Sequence, residues 1–349
     1  SAVARMIPAG MPRSTPASPT RRAALATLGL AAGLAGGACA PRLVRPGPAL
    51  AAPADAGDAL VMPDGARLPL AVWPAEGEAR GALLALHGFN DYRRAFEIPA
   101  PLFTQAGWSL YAYDQRGFGA APHPGLWAGH EAMAADAAHA ARLIRARAPG
   151  VPLVLLGESM GAAVLILAGA SDDPPDADAY VLSAPAVWGG ETMGAVGRAM
   201  LSVLAHTVPA LGFANTSPFH RASDNEAALV AMGRDPLVLK STRVDAIYGL
   251  MRLMDAALAA SARFRPRALV LYGGRDDLVP PRAIRAMADR LPGLGDGRQR
   301  MIVFPDGHHL LLRDSIRERV AGEVLAWLDA AGVGAGPARS ATPGLAGSH

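Results

Sequence analysis

The sequence predicts an α/β fold: a mostly parallel central sheet, helices on both of its faces, and a helical insertion over one end. Three observations lead there. Short apolar runs alternate with longer helix-compatible ones along most of the chain, the pattern of strand–helix–strand crossovers. Some short runs are apolar at every position, as in Leu153–Leu156, which suits strands covered on both faces. The alternation breaks once, over 185–264, where a helix-like stretch separates two strand runs.

Taken in order, strands are expected at Leu68–Trp73, Ala82–Leu86, Ser109–Tyr113, Leu153–Leu156, Tyr180–Leu182, Ala268–Tyr272 and Met301–Phe304. Helices are expected at His130–Ala148, Ala162–Ala170, Arg282–Arg290 and Ile316–Leu328. The interval 185–264 carries five Met (Met193, Met200, Met232, Met251, Met254) and the aromatics Trp188, Phe213, Phe219 and Tyr248. An insertion near the carboxyl edge of the sheet would sit over a site. Most of these side chains are expected to pack the insertion's own core, and some to line an adaptable apolar pocket.

The ends read differently. Thr20-Arg21-Arg22 precedes an uncharged run from Ala23 to Ala38. At 16 residues that run is shorter than the roughly 20 a membrane span needs, and fits the apolar part of an export signal. The Arg pair resembles a twin-arginine signal. Leu34-Ala35-Gly36-Gly37-Ala38-Cys39 resembles a bacterial lipoprotein cleavage site, with Gly36 where an aliphatic residue is usual. Residues 1–38 are therefore expected to be a signal, and Cys39 to be lipidated and to anchor an exported, periplasmic protein to its membrane. Residues 39–57, rich in Ala, Pro and Gly, are expected to form a tether, 58–331 the folded body, and 332–349 a disordered tail.

Composition excludes several classes. At 51% hydrophobic residues the chain can build a sizeable core. The net charge of +3 comes from the four Arg of 1–38; beyond them stand 29 basic and 30 acidic residues, no profile for a nucleic-acid partner. The single Cys excludes an intramolecular disulfide and any cysteine-based metal cluster. Nothing in the sequence indicates an oligomeric state.

The chemistry is carried by Gly157-Glu158-Ser159-Met160-Gly161, which follows a strand run and precedes a helix run. It has the form of a nucleophile elbow, a tight turn that pushes a serine hydroxyl out of the backbone and needs glycines because neighbouring chain comes close. With 39 Gly in the chain the bare pattern means little, so its partners must carry the argument. A serine hydroxyl is a poor nucleophile at neutral pH; it needs a base, and the base an orienting acid. Behind this type of elbow the acid and then the base follow in chain order. Leu271-Tyr272-Gly273-Gly274-Arg275-Asp276 supplies an acid after a strand and a Gly turn. Phe304-Pro305-Asp306-Gly307-His308-His309 supplies a histidine after the next strand. Ser159, Asp276 and His309 are thus the expected nucleophile, acid and base. The backbone N–H groups of Met160 and Phe89 are the expected oxyanion donors. His87, in the same early loop as Phe89, and Glu158 are expected to be structural.

These residues resemble the α/β-hydrolase superfamily, and within it the monoacylglycerol lipase and lysophospholipase group, classed with serine aminopeptidase-like hydrolases. The resemblance spans about Leu60 to Leu328. It rests on His87-Gly88-Phe89, Tyr113-Asp114-Gln115-Arg116-Gly117-Phe118-Gly119, the elbow, Arg234-Asp235-Pro236-Leu237, Gly273-Gly274-Arg275-Asp276 and Gly307-His308-His309. It implies the α/β-hydrolase fold with a cap over the site. It also implies a serine carboxylic-ester hydrolase that needs no cofactor or metal and takes a small-molecule acyl ester. It puts the acid on Asp276 rather than Asp277, and the base on His309, with His308 in a slot usually held by an aromatic. Phe89 and Glu158 depart from the group's common small residue and His. A peptidase or amidase of the same fold and a non-catalytic lipoprotein binding module are the alternatives; an aminopeptidase would need an acidic cluster in the cap for a substrate ammonium, and there Arg and Lys residues are interspersed with the acids.

Overall fold

All seven expected strand runs and all four expected helix runs are present, each within two residues of its expected ends. The computed structural model describes residues 40–190, 194–214 and 221–334. Among them the strands are β1 (Ala54–Asp55), β2 (Ala59–Val61), β3 (Arg67–Trp73), β4 (Gly81–Leu86), β5 (Trp108–Tyr113), β6 (Leu153–Glu158), β7 (Ala179–Ser183), β8 (Gly212–Ala214), β9 (Ser241–Arg243), β10 (Ala268–Gly273) and β11 (Gln299–Phe304). The helices used here are α1 (Ala100–Thr104), α2 (His130–Arg147), α3 (Met160–Gly169), α4 (Ala195–Thr207), α5 (Glu226–Arg234), α6 (Val244–Ala260), α7 (Pro281–Ala288) and α8 (Arg317–Ala330).

One sheet of nine strands runs in the order β1-β2-β3-β5-β4-β6-β7-β10-β11. The pairs from β5 through β11 are parallel, and β1, β2 and β3 are attached by antiparallel pairing. Side chains alternate across the sheet, as the strand period of two requires. Leu84, Leu86, Tyr111 and Tyr113 pack on one face with α2, α3, α6 and α7. Leu83, Ala85, Leu110 and Ala112 pack on the other with α1 and α8. Each large side chain buried completely contributes about 1.5–3 kcal/mol, so two such layers hold the sheet rigid. No described helix is long and apolar enough to cross a membrane.

Two expectations need correction. The stretch expected as a tether is laid along the body from Pro41 onward. Val44 N–H donates to Trp127 O (2.9 Å), Leu50 N–H to Pro63 O (2.7 Å), and β1 pairs with β2. Such isolated backbone bonds need no side-chain periodicity, so an Ala-, Pro- and Gly-rich composition hides them. Cys39 and the expected signal lie outside the described residues, as does most of the expected tail.

The second correction concerns the insertion. Only α4, α5 and the two-stranded antiparallel β8–β9 ribbon lie outside the helical layer, with Leu201 of α4 packed against it. Helix α4 buries only Ala205 and α5 only Ala228. Helix α6 belongs to the layer, burying Met251, Leu253, Met254, Ala257 and Leu258 in the core it shares with α2 and α3. Methionine-rich composition marks a segment as apolar without saying which surface it covers.

Candidate active site

Strand β6 ends at Glu158, and the chain turns at Ser159 directly into α3. Ser159 has φ 54° and ψ −111°, in the left-handed half of backbone space that a residue with a Cβ rarely adopts. The turn is held from both sides. Ser159 N–H donates to Ser183 O (2.9 Å), and Ser159 O accepts from the N–H groups of Ala163 and Ala186 (3.1 Å each). Both flanking glycines are required by close approach: a Cβ on Gly157 would lie 2.5 Å from Ala162 N, and one on Gly161 2.9 Å from His87 O.

Strands β10 and β11 run parallel and in register from Ala268↔Gln299 to Gly273↔Phe304, so the loops leaving them meet. A Cβ on Gly274 would lie 2.8 Å from Pro305 O, and Arg275 N–H donates to Gly307 O (2.9 Å). Asp276 Oδ1 accepts from the N–H groups of Leu278 and Val279 (2.9 Å each). Its Oδ2 stands 2.8 Å from His309 Nδ1, and both residues are buried. A carboxylate partner fixes the proton on Nδ1 and leaves Nε2 as the basic nitrogen. Burial alone would push the His309 pKa down. The hydrogen bond and charge of Asp276, with the charge of Glu158, outweigh both burial and Arg313 and hold it above the ordinary 6.5. The neighbouring Asp277 instead accepts from Arg221 N–H (3.0 Å).

The loop after β4 lies against the elbow, where a Cβ on Gly88 would sit 3.5 Å from Ser159 Cβ. Met160 opens α3, so its N–H is one of the first-turn donors that have no acceptor within the helix. The Phe89 ring packs on Phe118 and Trp127, with centroids 5.5 and 6.3 Å away. Asn90 ties this loop to the insertion, its Nδ2 donating to Thr242 Oγ1 (2.7 Å). His87 is fully buried with both ring nitrogens on backbone groups: Nδ1–H donates to Gly88 O (2.8 Å), and Nε2 accepts from Gln115 N–H (3.0 Å). Burial pushes its pKa down, which keeps it neutral.

Sequence reasoning did not single out Arg313 or Asp91. Arg313 follows His309 by four residues and is buried. Its Nη1 donates to Asp91 Oδ2 (2.6 Å), two residues past Phe89, and its Nη2 to Glu158 Oε1, beside Ser159. The only sequence signals are a charge at the end of the apolar run Leu310-Leu311-Leu312 and another at the end of β6.

His308 faces away from this pairing. Its N–H donates to Asp314 Oδ2 (2.6 Å), and its ring lies near Asp224 and Asp314, a grouping whose ligand atoms could surround an ion. Those carboxylates are already engaged. Asp314 Oδ1 accepts from Ser223 Oγ (2.5 Å) and Asp224 N–H (3.1 Å), and Asp224 accepts from Ser315 N–H (2.8 Å) and Oγ (2.5 Å). The cluster staples the start of the segment holding α5 to the loop bearing His309.

Residues 77–316 match the family described as serine aminopeptidase, S33 (Hydrolase_4). The chain is 26% identical to a monoacylglycerol lipase of Mycolicibacterium smegmatis, over 76% of this chain and 93% of that protein. It is 22% identical to the monoglyceride lipase of Rattus norvegicus, over 77% and 89%. Among solved structures, the Saccharomyces cerevisiae monoglyceride lipase superposes with a TM-score of 0.64 at 20% identity, covering 76% of this chain and 92% of that one. A Paleococcus ferrophilus monoacylglycerol lipase gives 0.63 at 22% identity, over 76% and 99%. The fold they share is the α/β-hydrolase fold.

Proposed function

We propose, for a chain that belongs to the serine aminopeptidase (S33) family, that it hydrolyses carboxylic esters through an acyl-serine intermediate. The observation carrying this reading is the buried Asp276–His309 pair, at the same sheet edge as a strained serine elbow. Ser159 Oγ attacks the acyl carbonyl carbon while His309 Nε2 takes its proton. The oxyanion meets the N–H groups of Phe89 and Met160. Collapse breaks the ester C–O bond, and the leaving alcohol receives the proton from His309. Water, deprotonated by His309, then attacks the acyl-serine, releases the acid and restores Ser159. Asp276 holds the imidazole in the required tautomer and stabilises the imidazolium that forms.

Monoacylglycerols are the favoured substrates, supported by the names of the relatives; lysophospholipids are the second class, suggested by the sequence motifs alone. A peptidase reading has less support, because three acids of the described insertion are paired within the protein. Asp235 accepts from Tyr92 Oη (2.6 Å), Asp245 pairs with Arg243 (2.6 Å) and Glu226 with Arg221 (3.3 Å). Ser159→Ala should reduce turnover of p-nitrophenyl acyl esters by at least about 10⁴-fold. Retained turnover would refute the assignment.

We infer separately that the enzyme is exported by residues 1–38 and anchored through a lipid on Cys39. Support comes from the Arg pair, the short apolar run and the small residues before Cys39. Cys39→Ser should move the protein from the membrane fraction to the soluble one; unchanged fractionation removes the anchor.

A further inference from the structure

Three of the four loops that carry the proposed chemistry are joined by one side chain. Arg313 sits on the loop of His309, four residues beyond it, and is 3% exposed. Its two terminal nitrogens diverge. One reaches Asp91 (2.6 Å), on the loop of the expected oxyanion donor Phe89; the other reaches Glu158, whose backbone leads directly into Ser159. Asp91 is itself fixed: its Oδ1 accepts from Tyr92 N–H (2.9 Å), and its N–H donates to Gly88 O (3.3 Å). Among the described residues Arg313 Nε has no hydrogen-bond partner, so the guanidinium is spent on the two carboxylates and on a 3.3 Å contact with Met232 Sδ. Separations of 222 and 155 residues make these bonds tertiary locks rather than local turns.

We infer that Arg313 is a positioning residue that sets the elbow, the oxyanion loop and the base loop relative to one another. Its partners also give it an electrostatic part. Glu158 raises the His309 pKa and Arg313 lowers it, so the pair sets how readily the imidazolium forms during acyl transfer. The groups facing His309 are Asp276, Glu158 and Arg313. A planar fork suits this task and an ammonium does not, because a single donor centre cannot reach two diverging carboxylates with the same geometry.

The inference rests on the ester-hydrolase reading, and the two fail separately. A wild-type protein without esterase activity sinks that reading; an active wild type with indifferent variants sinks this one. Arg313→Met should lower kcat about 100-fold with KM within about twofold, since a displacement near 1 Å costs about that much. Arg313→Lys keeps the charge and should still leave kcat at least about tenfold down. Glu158→Gln keeps an acceptor for Arg313 but removes a charge that raises the His309 pKa, so the acid limb of the kcat/KM profile should move to lower pH. Arg313→Met removes a charge that lowers the His309 pKa, so its acid limb should move to higher pH, a shift a purely structural role would not produce. If the Arg313 variants do not fold, Asp91→Asn, which weakens the arm of the fork that holds the oxyanion loop, decides: kcat should fall about tenfold with KM unchanged, and a kcat within about twofold of wild type overturns the inference. Unshifted acid limbs, or an Arg313→Met enzyme with kcat within twofold of wild type, overturn the inference.

Discussion

Arg116 and Arg313 are each buried between two carboxylates, yet they bind them differently. Arg116 uses all three of its nitrogens. Nη1 and Nη2 grip Asp64 (2.7 and 2.9 Å), while Nε and Nη2 grip Asp136 (2.6 and 3.0 Å). That fork-to-fork geometry is the strongest an arginine can make. It fastens the turn between β2 and β3 to helix α2, and none of the three residues belongs to the loops carrying Ser159, Asp276 and His309. Arg313 gives one bond to each carboxylate and, among the described residues, leaves Nε unpaired. The first arrangement maximises attachment; the second spreads one cation over three loops. A buried charge cluster is therefore no guide to function by itself. What distinguishes the two is which segments the cluster connects.

The comparison can be broken by removing the cations. Arg116→Met leaves Asp64 and Asp136 without their partner, with burial already pushing the Asp136 carboxyl up to about 6. It should destabilise the protein by about 3–5 kcal/mol in denaturant unfolding. The surviving folded enzyme should keep its kcat, because no loop of the site moves. A large loss of kcat at constant folded fraction would make the two arginines equivalent and erase the distinction. A smaller effect sharpens it. In the triple variant Asp91→Asn, Glu158→Gln, Arg313→Met no charge is left uncompensated, and stability should return to within about 1 kcal/mol of wild type. If the three-loop lock is what matters, kcat stays low in that well-folded protein; recovery of both together would assign the cluster to stability alone.

The difference between these arginines also shows what could be read beforehand. Strands such as Leu153–Leu156 were legible because burial on both faces leaves a local apolar signature. The order of Ser159, Asp276 and His309 was legible because each follows a strand run, and parallel strands deliver their ends to one edge. Arg116 stood inside a motif whose members turn out to be mutual supports: Asp114 accepts from Arg93 N–H (2.9 Å) and Ala120 N–H (2.8 Å), and Gln115 Nε2 donates to His87 O (2.8 Å). Arg313 was not legible, since its partners lie far away in the chain and its neighbours Leu310–Leu312 advertise only apolar packing. The seating of α6 was obscured likewise, because its methionines would look the same over a pocket or over a core.

Helix α4 buries only Ala205 and turns Val196, Met200 and Val203 outward, whereas every residue of β6 is buried. Tolerance to change is therefore distributed unevenly. Replacements along 195–207 alter a largely exposed helix, and replacements along 153–164 alter the buried strand and elbow that hold Ser159. The outer helix can therefore be rewritten residue by residue, while the elbow survives only if the strand and glycines behind it are left alone.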